Sequence, residues 1–178
     1  IDIINTLQSR ARNDGIATSL IVSVSAVFGA EQPQTSMEHW VEAEVRSRLD
    51  GLPCQRVVLI GHSHGGATVT SVTAALDARY APRMLGVLID RTIALYDRPA
   101  TEMPSRTQLL NFFQVNEGWH GERIDAPNVA NFDETTERAP VAPSDGGGGL
   151  AIVSHKTLDD SRGVQQRIVD GVMTWVQG

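Results

Sequence analysis

Residues 57–66 read VVLIGHSHGG, a β-branched apolar run that ends on Gly61-His62-Ser63-His64-Gly65. The stretch that follows, Ala67 to Tyr80, is rich in Ala, Val and Thr, as suits a helix packed tightly against a sheet. The pattern therefore predicts a strand, an abrupt turn and a helix, with Ser63 at the apex. A chain that bends so sharply passes close to itself. Side chains two residues before or after the apex would collide, which predicts that Gly61 and Gly65 are both obligatory. The serine is expected in a strained backbone conformation, its hydroxyl standing clear of both elements. In a chain with 16 glycines, a chance G-x-S-x-G is expected roughly 0.1 times, and the flanking strand and helix make it rarer still. The competing reading is a glycine-rich turn carrying an incidental serine.

Strands and helices alternate along the rest of the chain. Ile3, Ile4, Leu7 and Ala11 share one helical face, with Gly15 as the stop. Ser19 to Phe28 has strand composition. Thr35-Ser36-Met37-Glu38 is a capping-box pattern, and Met37, Trp40, Val41, Val45 and Leu49 then predict a helix with one apolar face. Further strands are expected at Arg56 to Gly61, Met84 to Ile89, Gln108 to Val115 and Leu150 to Ser154. A closing helix is expected with Val164, Ile168, Val172 and Trp175 on one side. Near-continuous apolar strands alternating with helices imply an α/β fold around a parallel sheet buried on both faces. At 178 residues the chain is expected to form a single domain, 1–178. Pro99, Pro104, Pro127, Pro140 and Pro143 mark two long irregular connections expected to flank the top of the sheet beside Ser63.

Composition removes several function classes. Hydrophobic residues make up 41% and charged residues 20%, which describes a soluble globular protein. A net charge of −6 disfavours nucleic acid as a partner. Asp145 to Gly149 (DGGGG) lacks the lysine and hydroxyl of a phosphate loop, so no nucleotide cofactor is expected. The longest apolar stretch, Ile16 to Ala30, is interrupted by Thr18, Ser19, Ser23 and Ser25 and is too short to span a bilayer. Cys54 is the only cysteine, so no internal disulfide forms and the compartment stays open, secretion included. The chain opens at Ile1 without a charged-then-apolar leader and reads as processed or truncated there.

A serine hydroxyl needs a base to take its proton and a carboxylate to hold that base in the right tautomer. Of five histidines, His62 and His64 flank Ser63 and are expected to point away from its hydroxyl. His39 falls on the polar side of a helix, and His120 in a long loop. His155 follows the last short strand and precedes the final helix. Loops at the carboxyl edge of a parallel sheet converge on one crevice, which favours His155 as the base. Asp90, ending the strand LGVLID, is the favoured acid. Asp125, one connection later, is its rival, and Asp97, Glu117 and Asp133 are more distant options. A zinc site built on His62 and His64 is the alternative chemistry, but it gives the flanking glycines no purpose. Phe112, Phe113 and Trp119 are candidates for an acyl pocket, although strand-core packing explains the first two at least as well.

With these residues in place the sequence resembles the α/β-hydrolase superfamily, particularly its small lipase and esterase members. GHSHGG at residues 61–66 looks like the lipase form of the family's serine turn. Asp90 is similar in position to the pancreatic-lipase-like acid, whereas most members carry it one strand later, near Asp125. His155 matches the late histidine before the last helix. The resemblance implies a three-layer sandwich, with a mainly parallel central sheet and helices on both faces. It implies hydrolysis of a small-molecule or lipid carboxylic ester through an acyl-serine, with no cofactor and no metal. The backbone N–H of His64 would supply one oxyanion donor. In that fold a second donor comes from the exit loop of a central strand ahead of the first helix. Here that strand has no visible source, so either Ser19 to Phe28 takes its place or an upstream segment is lacking. A silent binding protein, a thioesterase or a peptidase on the same scaffold are the alternatives.

Overall fold

A computed structural model describes residues 3–16, 34–92, 103–116, 118, 120–141 and 149–178. Within them the chain runs α1 (Ile3–Asn13), α2 (Gln34–Gly51), β1 (Val57–His62), α3 (His64–Tyr80), β2 (Met84–Ile89), β3 (Gln108–Phe113), β4 (Val129–Asp133), β5 (Arg138–Pro140), β6 (Leu150–Ile152) and α4 (Arg162–Gln177). Strands β1 to β4 form one parallel sheet in the order β1-β2-β3-β4, while β5 and β6 pair antiparallel in a separate two-stranded sheet.

The pleat decides which residues face which helices. Leu85, Val87 and Ile89 of β2 join Phe112, Leu7 of α1 and Val164, Ile168 and Val172 of α4 in one core. The alternate residues point the other way. Met84 packs with Val45 and Leu49 of α2 and Val72, Leu76 and Tyr80 of α3, and Leu88 packs with Val69 and Leu109. Helices therefore cover both faces, giving a three-layer α/β sandwich. Every residue of β2 is buried, which is why MLGVLI reads as an unbroken apolar run rather than an alternating one. Among the described residues β1 lies at the sheet edge, and its strand is only half-buried.

Side-chain anchors hold the connections. The Asp77 carboxylate of α3 accepts hydrogen bonds from the backbone N–H groups of Ser105, Arg106 and Thr107 and from the hydroxyls of Ser105 and Thr107, which pins the start of β3. Arg167 of α4 forks onto the buried carboxylate of Glu134 and pairs with Glu137 at 2.8 Å. The Glu137 carbonyl in turn accepts from Val153 N–H at 3.0 Å, so α4 and the segment leading to His155 are braced together.

Several sequence expectations need correction. Helix α2 already includes Gln34, so Thr35 lies within its first turn. Trp40 is half exposed and is not part of the apolar face, which Val41, Val45 and Leu49 form. The second proline-marked connection is not irregular throughout, since it holds β4 and β5. Strand β4 (VANFD) is short and partly exposed, and β5 carries Pro140 on a two-stranded edge where no interior ladder bond is lost. The strand expected at Ser19 to Phe28 lies outside the described residues.

Candidate active site

Ser63 sits between β1 and α3 with φ 54° and ψ −121°, a conformation that L-residues rarely adopt. Three backbone bonds hold it there. Its N–H donates to the Ile89 carbonyl at 2.9 Å, and its carbonyl accepts from Gly66 at 3.0 Å and Thr92 at 3.4 Å. The turn is tight where Gly61 meets Gly65: a Cβ on Gly61 would stand 2.2 Å from the Gly65 carbonyl oxygen. The expectation for Gly65 itself is wrong, because a Cβ there would meet nothing within 4 Å. The second steric glycine is Gly66, whose Cβ would lie 2.9 Å from that of Arg91. What crowds Gly61 is therefore the backbone of Gly65, not the place of its side chain.

The Ser63 hydroxyl oxygen lies 2.8 Å from Nε2 of His155, and Nδ1 of that ring lies 2.8 Å from Oδ2 of Asp90. Asp90 is fully buried and adopts φ 46° at the end of β2, a left-handed conformation that aspartate tolerates better than most residues. Its Oδ2 also accepts from Nε2 of Gln114 at 2.8 Å, and its Oδ1 from the N–H groups of Gly121 at 2.6 Å and Gln114 at 3.3 Å. Burial pushes its pKa up, but the bonds from His155, Gln114 and Gly121 more than offset this and hold it below the usual carboxylate range. An ionised carboxylate only accepts, so Nδ1 of His155 carries a proton, and in that tautomer Nε2 is the acceptor. Ser63 must then donate to Nε2. Its oxygen in turn accepts from the Thr92 hydroxyl, 3.2 Å away.

The geometry brings together Ser63, Asp90 and His155 and leaves the rivals elsewhere. Asp125 is exposed in the connection between β3 and β4. Asp133 accepts from Thr135, and Asp97 and Glu117 lie outside the described residues. His39 is exposed on α2, while His120 donates from Nδ1 to the Gly121 carbonyl at 2.8 Å. His64 opens α3, which puts its N–H at the amino end of the helix, where the dipole favours negative charge. His155 reaches the site by a route the sequence reasoning did not foresee: it follows β6, which belongs to the antiparallel pair and not to the parallel sheet.

A sequence model described as the alpha/beta hydrolase family matches residues 8–169. The chain belongs to the α/β-hydrolase family. Comparison with curated proteins gives no match. In this α/β hydrolase the carboxylate beside the histidine comes from the strand directly after the helix that follows the serine. Of the acyl-pocket candidates, Phe112 is fully buried and stacked on Phe132 at 4.5 Å, which makes it a core residue, and Phe113 is buried as well. Trp119 lies outside the described residues. The Nε2 of His62 is taken by a backbone carbonyl, and among the described residues no three His, Cys, Asp or Glu side chains converge as a metal site. No described helix is long and apolar enough to cross a membrane.

Four contributors escaped the sequence reading: Thr92, Gln114, Gly121 and His62. Gln114 had a usable signal, being a polar residue that ends the apolar strand LLNFF beside the strand that ends in Asp90. Gly121 had none, although a Cβ there would stand 2.8 Å from Oδ1 of Asp90.

Proposed function

We propose that this chain is a serine hydrolase that cleaves carboxylic esters through an acyl-serine intermediate. The observation that carries the reading is the unbroken hydrogen-bonded path from the Ser63 hydroxyl through both nitrogens of His155 to Asp90, with 2.8 Å at each link. In the mechanism, His155 takes the Ser63 proton on Nε2 as Oγ attacks the ester carbonyl. Asp90, already ionised, stabilises the imidazolium that forms. The N–H of His64, at the positive end of α3, donates to the oxyanion. His155 then gives its proton to the departing alcohol, and a water deprotonated by the same nitrogen releases the acid and restores Ser63.

The substrate is a small-molecule or lipid ester, and no cofactor enters any step. A buried carboxylate kept ionised by four donors has little structural use without the ring it orients, which weighs against a silent binding protein. Thioesters and amides could be attacked by the same three groups, so an oxygen ester is the reading taken from the lipase-like form of the serine turn. Ser63→Ala should abolish hydrolysis of p-nitrophenyl butyrate while leaving the thermal midpoint and circular dichroism unchanged. Turnover equal to that of the unsubstituted chain would overturn the proposal.

A further inference from the structure

We propose that His62, the residue immediately before the nucleophile, is a positioning residue for the His155 base. The inference rests on the reading of Ser63 and His155 as nucleophile and base, and it adds a fourth side chain to that site. The Nε2 of His62 lies 2.7 Å from the backbone carbonyl oxygen of His155. A carbonyl can only accept, so that nitrogen carries a proton and donates. The two imidazole rings also stack, with centroids 5.0 Å apart and planes inclined by 29°. One side chain thus grips the base twice, by its backbone and by the face of its ring.

The need for such a grip follows from how each histidine is carried. His62 is the last residue of β1, paired in register with Ile89, and Ser63 continues that ladder by donating to the Ile89 carbonyl. Its position is therefore fixed by the parallel sheet. His155 is not carried by that sheet. It lies in a turn between β6 and α4, where Thr157 closes on Ser154, and its own hairpin makes no ladder with the main sheet. Asp90 holds one edge of its ring without setting its tilt, and the segment is anchored on either side of the ring, at Val153 by Glu137 and Asn116 and at the buried Leu158, but not at the His155 carbonyl itself. The bond from His62 ties the His155 backbone to the same strand that presents Ser63, and the stacked face limits the tilt. Together they fix the aim of Nε2 at the serine oxygen. A base displaced by a fraction of an ångström loses rate steeply, since proton transfer needs hydrogen-bond reach.

The two grips separate by substitution in the full chain. His62→Gln keeps an N–H donor of similar reach without a ring, His62→Phe keeps a stacking ring without the donor, and His62→Leu keeps neither. A hydrogen bond and a ring contact of ordinary strength each correspond to up to about tenfold in rate, so kcat for p-nitrophenyl butyrate should fall about 10- to 100-fold in the Leu variant. KM should hold, because the role of His62 runs through His155. Gln and Phe should each recover part of the loss. The ¹H resonance of the His155 Nδ1 proton, held by Asp90 at 2.8 Å, should broaden or shift in the Leu variant and return in the Gln variant, whether or not the chain turns over ester. Should the Leu variant not fold, the Gln and Phe variants carry the same comparison. Unchanged kcat and an unchanged Nδ1 resonance across all folded variants would overturn the role of His62 while Ser63→Ala stays inactive. Activity that survives Ser63→Ala would instead overturn the hydrolase reading.

Discussion

Replacing Asp90 by Asn is the perturbation whose outcome the geometry constrains most. Every partner of that carboxylate is a donor: Gly121 N–H and Gln114 N–H on Oδ1, His155 Nδ1 and the Gln114 amide on Oδ2. An asparagine offers one acceptor oxygen and one NH₂. The two backbone donors cannot change, so the amide oxygen goes to them and the NH₂ faces His155 and the Gln114 side chain. His155 can relieve the clash of donors only by moving its proton from Nδ1 to Nε2. That tautomer cannot accept the Ser63 proton. A base held in the wrong tautomer costs about 10⁴ in kcat, or about 5.4 kcal/mol of barrier, with little change in KM. The fold should lose about 1–3 kcal/mol, the penalty of one badly matched buried polar contact. Steady-state hydrolysis of p-nitrophenyl butyrate measures the first quantity, and ¹⁵N shifts of the His155 ring report the tautomer. Asp125→Asn should retain the activity of the unsubstituted chain. An Asp90→Asn variant within about tenfold of that activity, or one with Nε2 still unprotonated, would refute the reasoning.

Further predictions bear on the turn, the core and pH. Gly61→Ala places a Cβ 2.2 Å from the Gly65 carbonyl and should cost at or above the upper end of the about 1–3 kcal/mol typical of overpacking, whereas Gly65→Ala meets open space and should be near neutral in a chemical denaturation curve. Ile168, fully buried between α4 and the sheet, should lose about 2–5 kcal/mol on replacement by Ala, read from the same curves. Asp90 and Asp77 have folded pKa values depressed below the ordinary range; burial raises both, but bonds from His155, Gln114 and Gly121 to the first, and from Thr107 and Ser105 to the second, more than offset it. Their contribution is complete above the unfolded aspartate value of about 3.9 and is lost as pH falls through the lower folded values, so the denaturation midpoint should drop in that acidic window and not near neutrality.

Much of this arrangement was legible because it is local. Strand, turn and helix around Ser63 are written in one continuous stretch, Val57 to Tyr80, and Asp90 is marked by an aspartate closing the strand MLGVLI. The two faces of β2 explain its unbroken hydrophobicity, so the sandwich could be read from Met84 to Ile89 together with the helices on either side. What could not be read depends on distant partners. Strand β4 is recruited by pairing with β3, since VANFD has little apolar pattern of its own. Gly65 looked steric because it sits symmetrically with Gly61, yet the chain bends so that only Gly61 and Gly66 approach other atoms. The placement of His155 was anticipated for the wrong reason, its hairpin lying outside the parallel sheet. His62 and Gln114 act through contacts with residues 93 and 24 positions away, which no local pattern encodes.

The central claim is that the Ser63 hydroxyl is activated by His155. Reaction with a fluorophosphonate probe tests it most directly, since phosphonylation requires an activated serine and the adduct can be mapped by peptide mass. Labelling on Ser63 alone is expected, lost in His155→Ala and strongly slowed in Asp90→Asn. A chain that remains unlabelled at Ser63, or that labels there equally well without His155, would contradict it.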